Sequence, residues 1–254
     1  MMQDIDLSKY NSPTLRNRVK SEVRYLIDTY PRIYLPLIRL KKQSAKLATN
    51  DETKIVIEGY PRSANSFAVG AFRSVQPEPL HIANHLHCAA SIIYACQNNI
   101  PCIALIRNPV DAIISLRSLD LQATLVKPER RPYCQPFEAS LKKYIKFYTY
   151  IKPYQTSFIV GLFEDITNDF GKIILRANKK YNTNFIAYEN VKENNKKVFE
   201  KHGYHAGPNE IRNKIKKIVQ EEFDTQEKLE PLINDAQSLY REFIFIAQEQ
   251  SKLF

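Results

Sequence analysis

Short apolar runs alternate with segments of helical spacing through the middle of the chain. Continuous apolar runs predict buried strands at residues 54–58, 101–106 and 157–162, with a possible further strand at 79–83. Apolar residues at helical spacing predict helices over 66–75, 87–97, 137–150 and 167–181, one that begins over 109–117, and one or two after about 208. Because strands and helices alternate, we expect an α/β fold with a doubly wound, mainly parallel sheet and helices on both faces.

Two further segments lie outside this alternation. Residues from about 12 to 48 are basic and rich in Tyr and Leu, and they predict a helical arm that packs over the sheet. A peripheral membrane contact, a partner or self-association is the alternative role for this arm. Residues 119–136 carry three prolines and a basic cluster, which predicts an exposed loop. No internal repeat divides the chain, so residues 1–254 are expected to form a single domain.

The composition is typical of a soluble globular protein, with 44% hydrophobic and 25% charged residues. No window approaches the roughly 18 to 20 apolar residues that a membrane-spanning helix needs, and the first residues lack the pattern of a secretory signal. The expected location is therefore the cytoplasm. The four cysteines have no CxxC spacing, so we expect reduced and mostly buried thiols.

The net charge of +10 indicates affinity for anions, concentrated in residues 1–50 and 192–217. Neither patch carries the aromatic signature of an RNA-binding module or the spacing of a zinc finger, so specific nucleic-acid binding is disfavoured. A basic surface around an anionic ligand is the simpler interpretation.

The stretch GYPRSANS, at residues 59–66, follows a predicted strand and precedes a predicted helix. Such a turn supplies backbone N–H groups and a helix N-terminus to a phosphate, although a plain strand-to-helix turn would also explain it. Compared with the nucleotide P-loop, it has Ala64 and Asn65 where the second Gly and the Lys stand. The later strand ends in Arg107 and not in an acidic magnesium ligand. An ordinary ATPase or GTPase is thus disfavoured.

A second stretch, RNPVDAIIS at residues 107–115, predicts another anion site at a strand end. Asn108, Pro109 and Asp111 are the residue types expected at a helix start, and they need no functional explanation. Arg107 and Ser115 do not share that explanation. They can face one cleft and bind a second phosphate.

Together these stretches resemble the motifs of sulfotransferases. GYPRSANS resembles the family's 5′-phosphosulfate loop, RNPVDAIIS resembles its 3′-phosphate motif RxPxDxxxS, and LFEDIT at residues 162–167 resembles its YEDL segment. The resemblance implies a P-loop-like fold, 3′-phosphoadenosine 5′-phosphosulfate as the donor, no metal, and transfer of a sulfuryl group to a hydroxyl or amine acceptor. The residues it implies for donor binding are Gly59, Pro61, Arg62, Ser63, Ala64, Asn65, Ser66, Arg107, Ser115, Phe163 and Arg212, with Lys214 as a further candidate.

Sulfuryl transfer needs a stabilised leaving group and a base for the acceptor proton. Arg62 is expected to stabilise the leaving group. Asn84, His85 and Leu86 resemble the T-H-L of the family's KTHLP stretch, so His85 is the predicted general base and His87 the alternative. His81 is expected to lie far from the cleft.

Other interpretations stay open. A kinase-like phosphotransferase and a non-catalytic nucleotide-binding protein are the alternative functions. A metal site formed by His85, His87 and Cys88 is poorly supported, because no further ligand lies at a usual spacing. The acceptor is not predicted by the sequence, and the loop at 119–136 and the N-terminal arm are expected to form its pocket.

Overall fold

The computed structural model describes residues 15–126, 135–202 and 210–253. A four-stranded parallel sheet lies at the centre of this part of the chain. Its strands are β1 (Ile55–Gly59), β2 (Ile82–Ala83), β3 (Cys102–Ile106) and β4 (Ile159–Leu162), and they lie in the order β2-β1-β3-β4. The predicted parallel α/β sheet is confirmed.

Helices connect and flank the strands. In chain order they are α1 (Leu15–Ile27), α2 (Pro31–Arg39), α3 (Lys42–Ala45), α4 (Asn65–Val75), α5 (Ala89–Gln97), α6 (Pro109–Val126), α7 (Phe137–Ile151), α8 (Phe163–Tyr181), α9 (Lys192–His202), α10 (Glu210–Asp224) and α11 (Glu230–Leu253).

Alternating side chains of the strands pack into two separate cores. Val56, Ala104, Ile106 and Val160 pack with α5, α6, α7, α10 and α11. The intervening residues, among them Ile57 and Leu105, pack with α4 and α8 on the other face. Successive residues of a strand point to opposite faces, so both faces of this sheet are buried, as expected of a doubly wound fold.

Gly59 ends β1 where that strand passes closest to β3. A Cβ atom at this position would lie 2.3 Å from the carbonyl oxygen of Leu105 and 2.8 Å from its Cβ. The contact explains why one of the few glycines stands here: only Gly lets the two strands pair up to the start of the loop.

Several predictions about the elements differ from the structure. The expected loop at 119–136 is helical as far as Val126, and Leu121 and Gln122 are buried; its three prolines all lie beyond that residue, and 127–134 lie outside the described residues. The possible strand at 79–83 is reduced to its last two residues, Ile82 and Ala83, and the chain turns away after them, where Asn84 donates its N–H to the carbonyl of Leu47. Helix α9 was not predicted from the sequence.

The N-terminal helices pack over α5 and not over the sheet. Tyr34, Leu35 and Ile38 of α2 form a small core with Leu86 and Cys88, and this core contains no strand residue. Of the cysteines, Cys88, Cys96 and Cys102 are buried free thiols, whereas Cys134 lies outside the described residues. None of the described helices is both long enough and apolar enough to cross a membrane.

Candidate functional site

The carboxyl ends of all four strands open into one cleft of about 720 Å³. Each strand contributes residues to it, as expected where connections leave a parallel sheet. The residues that line the cleft include Arg62 and Ser66 after β1, His85 and His87 after β2, Arg107 and Ser115 after β3, Phe163 after β4, and Arg212 and Lys216 of α10.

The loop after β1 is fixed to the protein interior at its start and lines the cleft over its later residues. Tyr60 is buried and donates its hydroxyl to the carbonyl of Ser140. Ala64 has a left-handed backbone, with φ of 67°, and precedes α4 without any side-chain cap. Because the first N–H groups of a helix have no partners within the helix, this uncapped first turn can donate to an anion in the cleft.

Arg62 connects the two predicted anion sites. Its Nε donates to the hydroxyl oxygen of Ser115 at 3.0 Å, and its carbonyl accepts from Nη1 of Arg107 at 3.2 Å. Burial, and then the nearby guanidinium groups of Arg212 and Arg107, lower the pKa of Arg62 to about 10. The cleft thus gathers partly desolvated positive charges, an arrangement that an anionic ligand would stabilise.

Arg107 is oriented by the start of α6 and by an aromatic ring. The side chain of Asn108 accepts from the N–H of Val110 at 3.0 Å, which confirms Asn108 as the N-cap. Tyr144 donates its hydroxyl to the carbonyl of Arg107 at 2.8 Å. The guanidinium group lies 4.0 Å from the centre of the Phe163 ring, within the range of a cation–π contact.

Helix α10 adds basic side chains from the far wall of the cleft. Arg212 is 7% exposed, and its Nε donates to Gln122 at 2.9 Å. Lys216, one turn later, also lines the cleft. Lys214 is exposed and does not line it. Sequence analysis missed Lys216, although its spacing of four residues from Arg212 places both on one helix face.

Glu58 of β1 organises the turn after β2. It is fully buried, and its carboxylate accepts from the N–H of Gly59 at 3.1 Å and from that of Leu86 at 2.8 Å. Burial raises its pKa to about 7, against the effect of these hydrogen bonds. The turn carries two left-handed residues, His85 with φ of 56° and His87 with φ of 48°. The chain is therefore not extended beyond Ala83, and the two histidines do not follow the alternation of a strand.

The two histidines have the same tautomer but different partners. Asn84 donates its amide to a carbonyl, so its oxygen accepts from Nδ1–H of His85, and Nε2 of His85 accepts from the Ser66 hydroxyl at 3.0 Å. His87 donates Nδ1–H to the carbonyl of Gly59 at 2.8 Å. Its Nε2 makes no hydrogen bond within the described part of the chain. Burial lowers the pKa of His87 to about 4, although 24% of its side chain is exposed to the cleft.

The structure brings most of the predicted residues to the cleft. Pro61, Arg62, Ala64, Asn65, Ser66, His85, Arg107, Ser115, Phe163 and Arg212 line it. Gly59 and Ser63 are buried and do not line it. His81 lies at the other end of β2, where its Nδ1 is 3.0 Å from the Thr53 hydroxyl. No group of three or more His, Cys, Asp or Glu side chains in the described ranges could hold a metal ion.

No protein-family model matches the chain, and no curated protein matches its sequence. Among solved structures, the mouse sulfotransferase SULT7A1 complexed with PAP is similar to the chain, with 14% sequence identity and a TM-score of 0.38. The match covers 61% of this chain and 65% of that protein, so the chain spans less than two thirds of the length of this relative.

Proposed function

We propose that the cleft binds 3′-phosphoadenosine 5′-phosphosulfate and that the chain transfers its sulfuryl group to a hydroxyl or amine acceptor. One observation carries the proposal: Arg62, Arg107 and Arg212 converge with the uncapped start of α4 in a single cleft. Such a set of donors suits a ligand with two separated anionic groups, because guanidinium groups and backbone N–H groups both bind phosphate oxygens. The sulfotransferase-like motifs assign these groups to the two ends of the donor.

Each residue receives a role from its position. The first turn of α4 and Arg62 would hold the phosphosulfate and stabilise the charge that develops on the departing phosphate. Arg107 and Ser115 would bind the 3′-phosphate, with Arg212 and Lys216 beside them. Phe163 would form part of the adenine wall, with its ring fixed against Arg107. The donor supplies the activated sulfuryl group, and the chain supplies orientation and positive charge.

The base is one of the two histidines. The resemblance assigns it to His85, but Nε2 of that residue already accepts from Ser66. His87 has its proton on Nδ1 and an Nε2 lone pair directed to no described residue, and its lowered pKa keeps the ring neutral at pH 7, so this lone pair can accept the hydroxyl proton. We therefore place the base function on His87 and keep His85 as the alternative, with a role in orienting Ser66.

Donor binding is tested by calorimetry with 3′,5′-adenosine bisphosphate. We expect Arg107→Ala to weaken this nucleotide by about 2 kcal/mol or more, because a charge-assisted contact is lost, and Ser115→Ala to weaken it less. Binding of 5′-AMP, which lacks the 3′-phosphate, should change little. Lys214→Ala is the matched control, since it removes a positive charge outside the cleft. Equal losses for both nucleotides would contradict the assignment of the 3′-phosphate.

The kinase-like alternative is tested by metal dependence. The cleft offers arginines and N–H groups, and β3 ends in Arg107 where a magnesium ligand would be needed. We expect sulfuryl transfer, measured as the mass of sulfated product, to survive EDTA. Loss of transfer with rescue by Mg²⁺, together with tighter binding of ATP than of 3′,5′-adenosine bisphosphate, would favour the kinase-like function. Donor binding without hydrolysis or transfer would favour the non-catalytic alternative.

A further inference from the structure

A second cavity, of about 370 Å³, adjoins the cleft. The two cavities share the lining residues Pro61, His87 and Leu116. His85 and Ser66 line the cleft only. His87 is thus the histidine that a molecule in either cavity can reach.

Helices α1 and α7 contribute the basic side chains of the second cavity. Its charged lining residues are Arg24 of α1, Asp28 just after α1, and Lys143 and Lys146 of α7, so basic groups outnumber acidic groups by three to one. Lys146 and Asp28 form an ion pair at 3.0 Å, and both side chains are largely buried. Arg24 donates to the carbonyl of Leu86, which ties α1 to the histidine turn.

Lys143 forms its hydrogen bonds with neutral groups, and only more distant carboxylates offset its charge. Its ammonium group donates to the Ser21 hydroxyl at 2.9 Å and to the Gln135 side-chain carbonyl at 3.0 Å, and both partners are neutral. Within the described ranges it forms no ion pair. Burial, and then the charge of Arg24, lower the pKa of Lys143. A partly buried ammonium group with only neutral partners is costly, and an anionic ligand group would offset that cost.

Apolar and aromatic side chains form part of the remaining wall of the second cavity. Tyr25, Leu116 and Phe147 line it beside the basic groups. Cavities of this kind bind ligands whose apolar body is fixed by a few polar contacts. A flat or apolar portion of a ligand would therefore lie against these side chains while its charged group lies near Lys143.

We propose that the second cavity holds the acceptor, and that the acceptor is a hydroxyl compound with a carboxylate, sulfate or phosphate group beside an apolar portion. This inference rests on the proposed sulfuryl transfer. In that step the acceptor oxygen bonds to sulfur while the bond from sulfur to the phosphate oxygen of the donor breaks. The electron pair leaves with 3′,5′-adenosine bisphosphate, and the hydroxyl proton moves to Nε2 of His87.

Two matched probes test the acceptor class. 4-Methylumbelliferyl β-D-glucuronide and the corresponding β-D-glucoside share an aromatic group and free hydroxyls, and they differ in one carboxylate. Binding of each is measured by calorimetry to the full chain saturated with 3′,5′-adenosine bisphosphate. We expect the glucuronide to bind at least about tenfold more tightly, as expected of one charge-assisted contact. Lys143→Met, which keeps the length of the side chain, should abolish this preference.

Lys142→Met is the control, because Lys142 is exposed on the same helix and pairs with Glu138; it should keep the preference. Equal binding of the two probes, or binding of neither, overturns the anionic acceptor class. If Lys143→Met still binds the glucuronide more tightly than the glucoside, Lys143 is not the group that binds the carboxylate, and the assignment of the second cavity is wrong. The proposed function fails separately, if the wild-type chain does not bind 3′,5′-adenosine bisphosphate in the first titration.

A different observation concerns the outer surface of the N-terminal helices. Large apolar side chains there are 46–82% exposed: Leu15, Val19, Val23, Leu26, Tyr30, Ile33, Leu37 and Leu40. Their spacing of three or four residues places those of each helix along one stripe. Helix α1 turns polar residues such as Ser21 and Arg24 toward the second cavity. Its apolar stripe therefore faces outward, the reverse of an ordinary surface helix.

The positive charge of the N-terminal helices favours an anionic partner for this apolar stripe. Residues 15–46 contain nine Lys or Arg and two Asp or Glu. Two copies of so basic a segment would repel each other, whereas anionic lipid headgroups would attract it. We propose that α1 and α2 dock on the surface of an anionic bilayer, with the apolar stripe in the headgroup region.

Flotation of the full chain with vesicles tests this docking. We expect binding to phosphatidylcholine vesicles that contain phosphatidylserine, and loss of that binding in the double variant Val19→Ser/Leu26→Ser. The control Leu175→Ser/Val191→Ser changes two equally exposed apolar residues elsewhere and should still bind. Equal binding to vesicles of phosphatidylcholine alone overturns the role of charge. Sedimentation tests the alternative. If the wild type self-associates and Val19→Ser/Leu26→Ser does not, a second copy of the chain, and not a bilayer, covers the apolar stripe.

Discussion

At the scale of single residues, hydrogen bonding separates two histidines that the sequence pattern treats alike. His85 and His87 both place their proton on Nδ1, one toward Asn84 and the other toward Gly59. The Ser66 hydroxyl already uses Nε2 of His85, at 3.0 Å. The reactive lone pair is therefore more accessible on His87, which also reaches the second cavity.

The roles of the two histidines are tested by paired substitutions to Asn, whose amide can still donate to the acceptor of Nδ1. We expect His87→Asn to lower turnover by about a hundred-fold to ten-thousand-fold, since a positioned base is removed. His85→Asn should lower it less, and both variants should keep their affinity for 3′,5′-adenosine bisphosphate. If His85→Asn is the inactive variant and His87→Asn retains turnover, the assignment from the sulfotransferase resemblance is the right one.

At the scale of elements, the turn from β1 to α4 is formed without the second glycine of the nucleotide P-loop, which Ala64 replaces. Ala64 adopts a left-handed backbone, as does Arg62. A side chain at such a position costs roughly 1–2 kcal/mol because the Cβ crowds the backbone. The tight loop is therefore formed in this chain, at some cost in stability.

Substitution of Ala64 by Gly tests this conformation. We expect Ala64→Gly to leave the free energy of unfolding unchanged or to raise it by up to about 1 kcal/mol, because relief of crowding offsets the greater chain entropy of Gly. Ala139→Gly, inside α7, is the control and should lower the free energy by about 1 kcal/mol. Denaturant unfolding measures both. Similar losses in the two variants would mean that residue 64 is not left-handed.

At the scale of the whole molecule, a buried carboxylate at the end of the central strand makes stability depend on pH. The pKa of Glu58 is raised from 4.5 to about 7 by burial. The folded state therefore holds this proton more tightly than the unfolded state does. The resulting contribution to stability is complete below about pH 4.5 and is lost as the pH rises through about 7. His87, whose pKa is lowered, has the opposite effect at lower pH and loses its contribution as the pH falls from 6.5 toward about 4.

Glu58→Gln isolates the effect of the carboxylate, because His87 is present in both proteins. At pH 5 the variant should be the less stable one, since an amide N–H₂ replaces an oxygen that accepts a backbone N–H. Between pH 5 and pH 8 the difference in unfolding free energy should shift toward the variant by about 2 kcal/mol. Denaturant unfolding at each pH measures this difference. A difference that does not change with pH would mean that Glu58 titrates as an exposed carboxyl.

The sequence by itself determined the central sheet and the two turns that follow β1 and β3. Apolar runs such as residues 101–106 predict buried parallel strands because so short and so continuous a run suits a strand that is covered on both faces. The cap at Asn108 and the spacing from Arg107 to Ser115 are also local, since they depend on helix geometry alone. The expected loop at 119–136 was partly wrong because α6 continues through Leu121 and Gln122, which are buried by contacts that the local composition does not reveal.

Only the tertiary structure decided which side chains meet. Arg62 reaches Ser115 across 53 positions of the chain, and Arg212 enters the same cleft from a helix that carries no motif. The different surroundings of His85 and His87 depend on Glu58. Its carboxylate accepts the N–H of Leu86, which lies between the two histidines in the turn after β2. The position of Lys143 beside α1 depends likewise on contacts between distant segments. These arrangements arise because strands remote in sequence end at one edge of the sheet, and periodicity along the chain carries no information about which loops meet there.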